Sequence, residues 1–305
     1  MKIRTAAILG AGAIGCYFIA GLSERLGDNL WVIAEGERAA RLSRDGLLIN
    51  GVRYDVNVKT AGESVGVDLL VIAVKYAALE GILPAVKEIT TEQTIVLSPL
   101  NGVDSEDVIG AVIGEEHMLR SIMKVSSQRR GNEITYNPAS LGVFFGETDG
   151  KPSERTDAVA ELLEGTLTHY QVRANITEDI WYKYALNISR NLPQAIIGCG
   201  AGAYEDSEHM EYISARMRAE VVAVAAAKGI DISDETNPIG KPQKVAPTAR
   251  FSTLQDIDAK RETEIEMFSG ALIRMGRELG VETPFNEFAY HAIRALEEKN
   301  RGDIR

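Results

Sequence analysis

A glycine spacing near the start of the chain constrains the fold more than anything else in it. Gly10-Ala-Gly12-Ala-Ile-Gly15 follows the apolar run Ala6–Leu9 and precedes a helical stretch that runs to about Leu26. In a strand-turn-helix, Gly10 makes the tight turn, Gly12 lets a pyrophosphate approach the backbone, and Gly15 lets the helix pack close to the strand. The helix N-terminus then offers free N–H groups and the positive end of its dipole to phosphates. The expected ligand is a dinucleotide, held at Gly10, Gly12, Ala13, Ile14 and Gly15. The bland alternative is a Gly-rich turn that binds nothing. A second apolar run, Leu30–Ala34, about 20 residues on speaks against it.

Glu35 ends that second run. A carboxylate there accepts hydrogen bonds from a ribose diol, which favours NAD, and repels the 2′-phosphate of NADP. Arg38 and Arg41 are near enough in sequence to soften the repulsion. Further on, Asp68–Val74 and Thr94–Leu97 are almost wholly apolar. Apolar strands alternating with helices indicate a parallel sheet covered on both faces. Leu119–Glu147 reads as strands without helices, around Gly131-Asn132 and Asn137-Pro138, and is expected to extend that sheet as a meander. From about Asp179 nearly every segment is helical in period: Trp181–Leu192, Glu208–Lys228, Thr253–Leu279 and Phe285–Lys299. Pro238, Pro242 and Pro247 mark the one long loop. The expected fold class is α/β, an N-terminal Rossmann doubly wound sheet over 1–174 with a C-terminal all-helical domain over 175–305.

Composition narrows the function. The chain has 305 residues, 33 basic and 44 acidic, for a net charge of −11. That argues against nucleic acid or an anionic membrane as the main partner. Two cysteines, Cys16 and Cys199, and four scattered histidines make no disulfide framework and no metal cluster. The basic Met1–Arg4 followed by a small, apolar Thr5–Ala20 imitates a signal peptide, but its glycines already have another task. The expectation is a cytoplasmic, metal-independent protein with a small-molecule partner, and a homodimer stays open.

The helical half carries a polar row. Lys183, Asn187 and Asn191 fall at i, i+4 and i+8, along one helix face. Trp181, Tyr184 and Ile188 flank it and suggest partial burial, and a buried polar row needs partners such as ligand oxygens. A solvated face is the alternative. Ser252 and Gln255 are spaced like a capping box, and Ser252 beside a helix N-terminus could hold a carboxylate. Glu264 sits among core-like residues about three turns further on, and Lys183 would serve as its cation. Lys75 and Asn101-Gly102 end predicted strands, where ligands of doubly wound sheets sit.

With these motifs in order, the sequence resembles the ketopantoate reductase (2-dehydropantoate 2-reductase) family nearly end to end. The resemblance is carried by GAGAIG at 10–15, VK at 74–75, NG at 101–102, W-x-K-x3-N-x3-N at 181–191, SxLQDI at 252–257, TEIE at 263–266 and GVETP at 280–284. It implies a reductase of the 2-keto group of ketopantoate, using NADPH, on the route to pantothenate and coenzyme A. It also implies Lys183 as general acid and Glu264 as the residue orienting Lys183 or binding substrate. Asn187 and Asn191 would hold substrate oxygens, Ser252 the carboxylate, and Lys75 and Asn101 the cofactor–substrate junction. Three positions depart from the family pattern: Glu35 stands where Arg is usual, and Ala249 and Ser269 stand where Asn is common. Arg250 could grip the carboxylate of a different 2-keto acid. The alternatives are a reductase of another branched 2-keto acid, a β-hydroxyacid dehydrogenase with its Lys-x3-Asn pair, and a non-catalytic dinucleotide sensor.

Overall fold

A computed structural model describes residues 1–130, 133–242 and 244–304. The chain divides into two compact units, Met1–Ile176 and Thr177–Arg305. The first begins β1 (Ala6–Leu9), α1 (Ala13–Leu26), β2 (Leu30–Ile33), α2 (Gly36–Asp45), β3 (Leu47–Ile49), β4 (Val52–Tyr54) and β5 (Asn57–Lys59). It continues with β6 (Leu69–Ile72), α3 (Leu79–Ile89), β7 (Ile95–Leu97), α4 (Ser105–Ile113) and β8 (Met118–Lys124). Then follow β9 (Ser127–Arg130), β10 (Glu133–Tyr136), β11 (Gly142–Gly146), α5 (Glu154–Leu163) and β12 (Tyr170–Val172).

Eight strands form the main sheet, in the order β12-β11-β8-β7-β6-β1-β2-β5. Neighbours are parallel except β8 and β11. β1, β6 and β7 are apolar and buried at every position, because both faces are covered. Ile8, Val71 and Leu97 enter one core, and Leu9, Leu70, Ile72 and Val96 enter the other, as the two-residue period of a strand dictates. The chain places β2 and β5 on one side of β1, then returns to place β6, β7 and β8 on the other. Strand order therefore reverses between β1 and β6. Asp68 seats this junction: its carboxylate accepts from the Arg4 and Thr5 N–H groups (2.7 and 3.0 Å) and the Thr5 hydroxyl (3.1 Å).

The expected meander is only half correct. β8 and β11 do extend the main sheet, but β9 and β10 leave it. They join β3 and β4 in a second, four-stranded sheet ordered β4-β3-β10-β9. Asn50, at φ +47°, locks the two hairpins: its amide donates to the Tyr136 carbonyl (3.2 Å) and accepts from the Tyr136 N–H (2.8 Å). No strand pattern in 119–147 distinguishes the two sheets, since the partner of β10 is β3, 85 residues earlier, with Glu133 opposite Leu48. The Gly131-Asn132 turn lies outside the described residues.

Among its described residues the second unit holds helices and loops and no strand: α6 (Ile176–Ile197), α7 (Ala203–Asp206), α8 (Glu208–Ala227), α9 (Ser252–Asp258), α10 (Ala271–Leu279) and α11 (Pro284–Arg301). α6 runs past Pro193, which lacks the N–H for one helical hydrogen bond. The single helix expected over Thr253–Leu279 is broken. α9 stops at Asp258, Lys260 takes φ +52°, and the Arg261 N–H returns to the Asp256 carbonyl (2.8 Å). A π-helical turn, Glu266–Gly270, then leads into α10.

Carboxylates do much of the joining in this unit. Glu220 of α8 is buried and accepts from the N–H groups of Phe285 (2.8 Å) and Asn286 (3.0 Å), and from the Asn286 amide (2.7 Å). It caps α11 from outside, where Thr283 makes no capping bond of its own. Replacing Glu220 with Ala leaves those donors buried without an acceptor, so a loss of about 2–4 kcal/mol is expected in denaturant titrations. Glu220→Gln, which keeps an acceptor, should recover a good part of it.

Candidate functional site

Two groups of predicted site residues emerge, one in each unit. In the first unit, the turn after β1 is pressed against the end of β6. A Cβ on Gly10, which has φ +110°, would lie 2.5 Å from the Ala73 carbonyl oxygen, and one on Gly15 would lie 1.9 Å from the Gly10 carbonyl oxygen. Gly12 differs: a Cβ there would meet only the Ala73 oxygen at 3.9 Å. Gly10 and Gly15 are thus required by packing, whereas Gly12 leaves its space to something outside the chain. Gly12 is also the N-cap of α1, and the first-turn N–H groups at Ala13, Ile14 and Gly15 have no partner within the helix. These features fit a pyrophosphate.

Glu35, Lys75 and Asn101 follow the ends of β2, β6 and β7. Because these strands run parallel with β1, all three residues stand on the same edge of the sheet as the glycine turn. Glu35 occupies the N-cap position of α2 but makes no capping bond, and it is exposed. Lys75 is exposed and Asn101 half-buried. Tyr76, the residue after Lys75, donates its hydroxyl hydrogen bond to Asp104 (2.6 Å) and so ties the loop after β6 to the loop that carries Asn101.

Along α2 lies a cleft of about 730 Å³, lined by Ala11 of the glycine turn and by Glu37, Arg38, Arg41, Arg44 and Arg129 among others. Arg44 is engaged by Asp45 (2.7 and 2.8 Å). Arg38 and Arg129 lie close enough to Cys16, in the second turn of α1, to draw its thiol pKa down. Burial overrides them and pushes that thiol up to about 12, so Cys16 is an inert core residue. Sequence reasoning missed Arg129, because only the second sheet brings β9 back to the glycine turn.

In the second unit, Lys183, Asn187 and Asn191 do share one face of the continuous helix α6. Lys183 and Asn187 are half-buried and Asn191 is buried. The helix is fixed below this face by Tyr184, whose hydroxyl donates to the Phe268 carbonyl (2.6 Å), and by edge-on packing of Trp181 against Tyr184 at 5.8 Å. Ser252 is brought to this row, since the Asn191 amide reaches its Oγ at 3.5 Å across 61 residues. The capping-box expectation fails here. Ser252 is the first residue of α9, Phe251 holds the N-cap position, and the Ser252 hydroxyl makes no cap.

Gln194, one turn beyond Asn191, explains the placement. Fully buried, it donates to the Ala249 carbonyl (3.0 Å) and accepts from the Phe251 N–H (2.7 Å). It therefore straps the strand of chain leading to Ser252 onto α6, and spacing alone could not reveal it. Ala249, short of any side-chain amide, contributes its backbone instead. Arg250 turns to Asp258 in a two-pronged ion pair (2.7 and 3.0 Å). Ser269 is buried and bonded to Asn286 (3.2 Å). Glu264 is half-buried and lies in the break between α9 and the π turn, not on a helix shared with Ser252. Its neighbours are anchored to α11: Thr263 donates twice to Glu297 (2.8 and 2.7 Å), and Glu266 accepts from Arg294 (2.6 Å) and Tyr290.

Comparison with known proteins covers both units. The family profile described as ketopantoate reductase PanE/ApbA matches residues 6–150, and the one described as ketopantoate reductase PanE/ApbA C terminal matches residues 175–297. A 2-dehydropantoate 2-reductase of Pyrococcus horikoshii is 28% identical over 310 residues, covering 97% of this chain and 98% of its own. An uncharacterized oxidoreductase of Bacillus subtilis, YkpB, is 24% identical over 298 residues, covering 95% and 98%. Among solved structures, a PanE/ApbA family ketopantoate reductase from Ralstonia eutropha superposes with TM-score 0.83 at 24% identity, covering 97% and 99%. A D-mandelate dehydrogenase with NADH and anilino(oxo)acetate superposes with TM-score 0.84 at 23% identity, again covering 97% and 99%. The fold is the expected one.

The glycine geometry separates packing from binding. Gly15→Ala should lose several kcal/mol, since its methyl meets backbone that cannot yield, whereas Gly12→Ala should unfold within about 0.5–1 kcal/mol of the parent. Thermal and denaturant unfolding of the two variants measures this without any ligand.

Proposed function

Because the chain belongs to the ketopantoate reductase family, we propose that this oxidoreductase reduces the keto group of a small 2-keto acid, ketopantoate foremost, with a reduced nicotinamide dinucleotide. The observation that carries this reading is the meeting of Asn191 with Ser252 on the face that also holds Lys183. Two segments far apart in sequence converge there, and the buried strap from Gln194 fixes Ser252 beside the polar row. The open space at Gly12 supports a dinucleotide in the first unit.

When bound, the reduced nicotinamide supplies a hydride to the keto carbon. The carbonyl electron pair then moves to oxygen, and the developing alkoxide needs a proton. Lys183 gives it from its ammonium group and regains one from solvent. Asn187 and Asn191 hold substrate oxygens by amide donation, and the Ser252 hydroxyl serves the carboxylate. Glu264 supplies a carboxylate to hold the ammonium in place, from a turn made stiff by Glu297. Lys75 and Asn101 bind the dinucleotide from the strand ends, beside the phosphate contacts of Gly10, Gly12, Ala13, Ile14 and Gly15.

For the cofactor we read NADPH. Glu35 alone favours a ribose diol, but the neighbouring cleft sets four guanidiniums, Arg38, Arg41, Arg44 and Arg129, against the carboxylates of Glu37 and Asp45. That surplus suits a 2′-phosphate. For the substrate, Arg250 is engaged by Asp258 in an exposed ion pair, which supports ketopantoate over a keto acid gripped by Arg250.

The test is a panel of 2-keto acids crossed with NADH and NADPH, followed at the nicotinamide absorbance band. Ketopantoate with NADPH should give the highest kcat/KM, and no oxidation with any keto acid would leave a dinucleotide sensor. Lys183→Ala should lower kcat by about 100-fold or more while the dinucleotide Kd moves less than about twofold. Near-native turnover in that variant removes Lys183 from the mechanism. Replacing Arg38 and Arg129 together by Ala should weaken NADPH by about tenfold or more and spare NADH.

A further inference from the structure

The sheet core holds a carboxyl group that the mechanism above does not use. Glu106, the second residue of α4, is 2% exposed. It sits at the base of the loop from Ser98 to Asp104, which leaves β7 and carries Asn101. Ser98 donates its hydroxyl hydrogen bond to Ser105 (3.1 Å), and Ser105 donates to one oxygen of Glu106 (2.9 Å). The other oxygen accepts from the Ser121 N–H on β8 (3.3 Å). Ser98, Ser105 and Ser121 are buried as fully as Glu106. The two ends of the loop are thus joined by the Ser98–Ser105 bond, and the carboxyl group ties that pair to the neighbouring strand. At its α4 end, beside Ser105, the same loop is tied to the residue after Lys75 by the Tyr76–Asp104 bond.

We propose that Glu106 is a positioning residue, clamping the loop that presents Asn101 and so setting the turnover of the site. The proposal rests on the role given to Asn101 under the reductase reading. A leucine would fill the same space at no desolvation cost, so a buried carboxyl here needs a reason beyond packing.

Burial pushes the Glu106 carboxyl up to about 7, against the pull of Arg120 and of the bonds from Ser105 and the Ser121 N–H. The charged groups around it are Arg120 on β8, which pairs with Asp107 on α4 (2.5 Å) and reaches Glu115 (3.8 Å), and Asp104 at the loop's end. The ionised carboxyl accepts from both sides. Once protonated, it has to donate on one side, and the run of serine hydroxyls reverses or breaks. Since the folded group binds its proton more tightly than an ordinary glutamate, folding stability from this group is full at low pH. It is lost as pH rises from the usual glutamate range through about 7. The clamp works the other way, holding best above that range.

The experiment follows backbone ¹⁵N-amide NMR shifts of Asn101 and Gly102, together with kcat, from acid to alkaline pH in the parent, Glu106→Gln and Glu106→Leu. In the parent, the shifts should titrate with a midpoint near 7, and kcat should rise through the same range. In Glu106→Gln, which donates on one side as the protonated carboxyl does, both profiles should be flat there, with kcat held within about twofold of the parent's acid-side value. In Glu106→Leu kcat should fall about tenfold or more, with the keto-acid KM within about twofold. Unchanged titration of Asn101 and Gly102 in Glu106→Gln overturns the proposal, and that comparison stands even if Glu106→Leu fails to fold. Absence of turnover in the parent with every keto acid would defeat the reductase reading instead, while the shift titration would still decide whether Glu106 governs the loop.

Discussion

The first unit depends on how closely two pieces of backbone approach where the strand order reverses. The turn after β1 lies against the end of β6 so tightly that no side-chain carbon fits at Gly10, and α1 starts so close to that turn that none fits at Gly15. This contact brings the helix N-terminus to the sheet edge with its N–H groups facing outward. It leaves Gly12 as the one position of the three with room beside it. Parallel pairing then does the rest, since it sends the residues after β2, β6 and β7 to the same edge.

The second unit has no sheet to register its parts, and polar side chains take over that task. Glu220 caps α11 from α8, Glu297 of α11 holds the turn bearing Glu264, and Gln194 of α6 holds the chain entering α9. Each is a buried group with more than one hydrogen-bond partner, at least one of them backbone, which makes its geometry specific and its loss costly. The polar row on α6 is therefore met by Ser252 at a defined place, although the two come from segments joined by a long proline-marked loop.

Much of this was legible in advance. The glycine spacing, the apolar strands and the periodic polar row on α6 are local patterns, and local patterns reflect local geometry. The failures have a common cause. Nothing within 127–136 says that these strands pair with residues 47–54. Nothing in the helical period of 253–279 announces that the chain turns at Lys260 and resumes through a π turn. The spacing of Ser252 and Gln255 fits a capping box, yet the strap from Gln194 shifts the helix start by one residue and releases the hydroxyl.

By itself the sequence determined the alternation of buried strands and helices in the first half, the glycine turn after β1 and the lysine–asparagine face of α6, because each depends on residues a turn or a strand apart. Only the tertiary structure decided which glycine is open, that Arg129 joins the arginines of α2, that Arg250 is held by Asp258, and that Glu106 is buried beneath the Asn101 loop. Those depend on contacts between residues far apart in the chain or on how deeply a group is buried, and burial is a property of the folded whole.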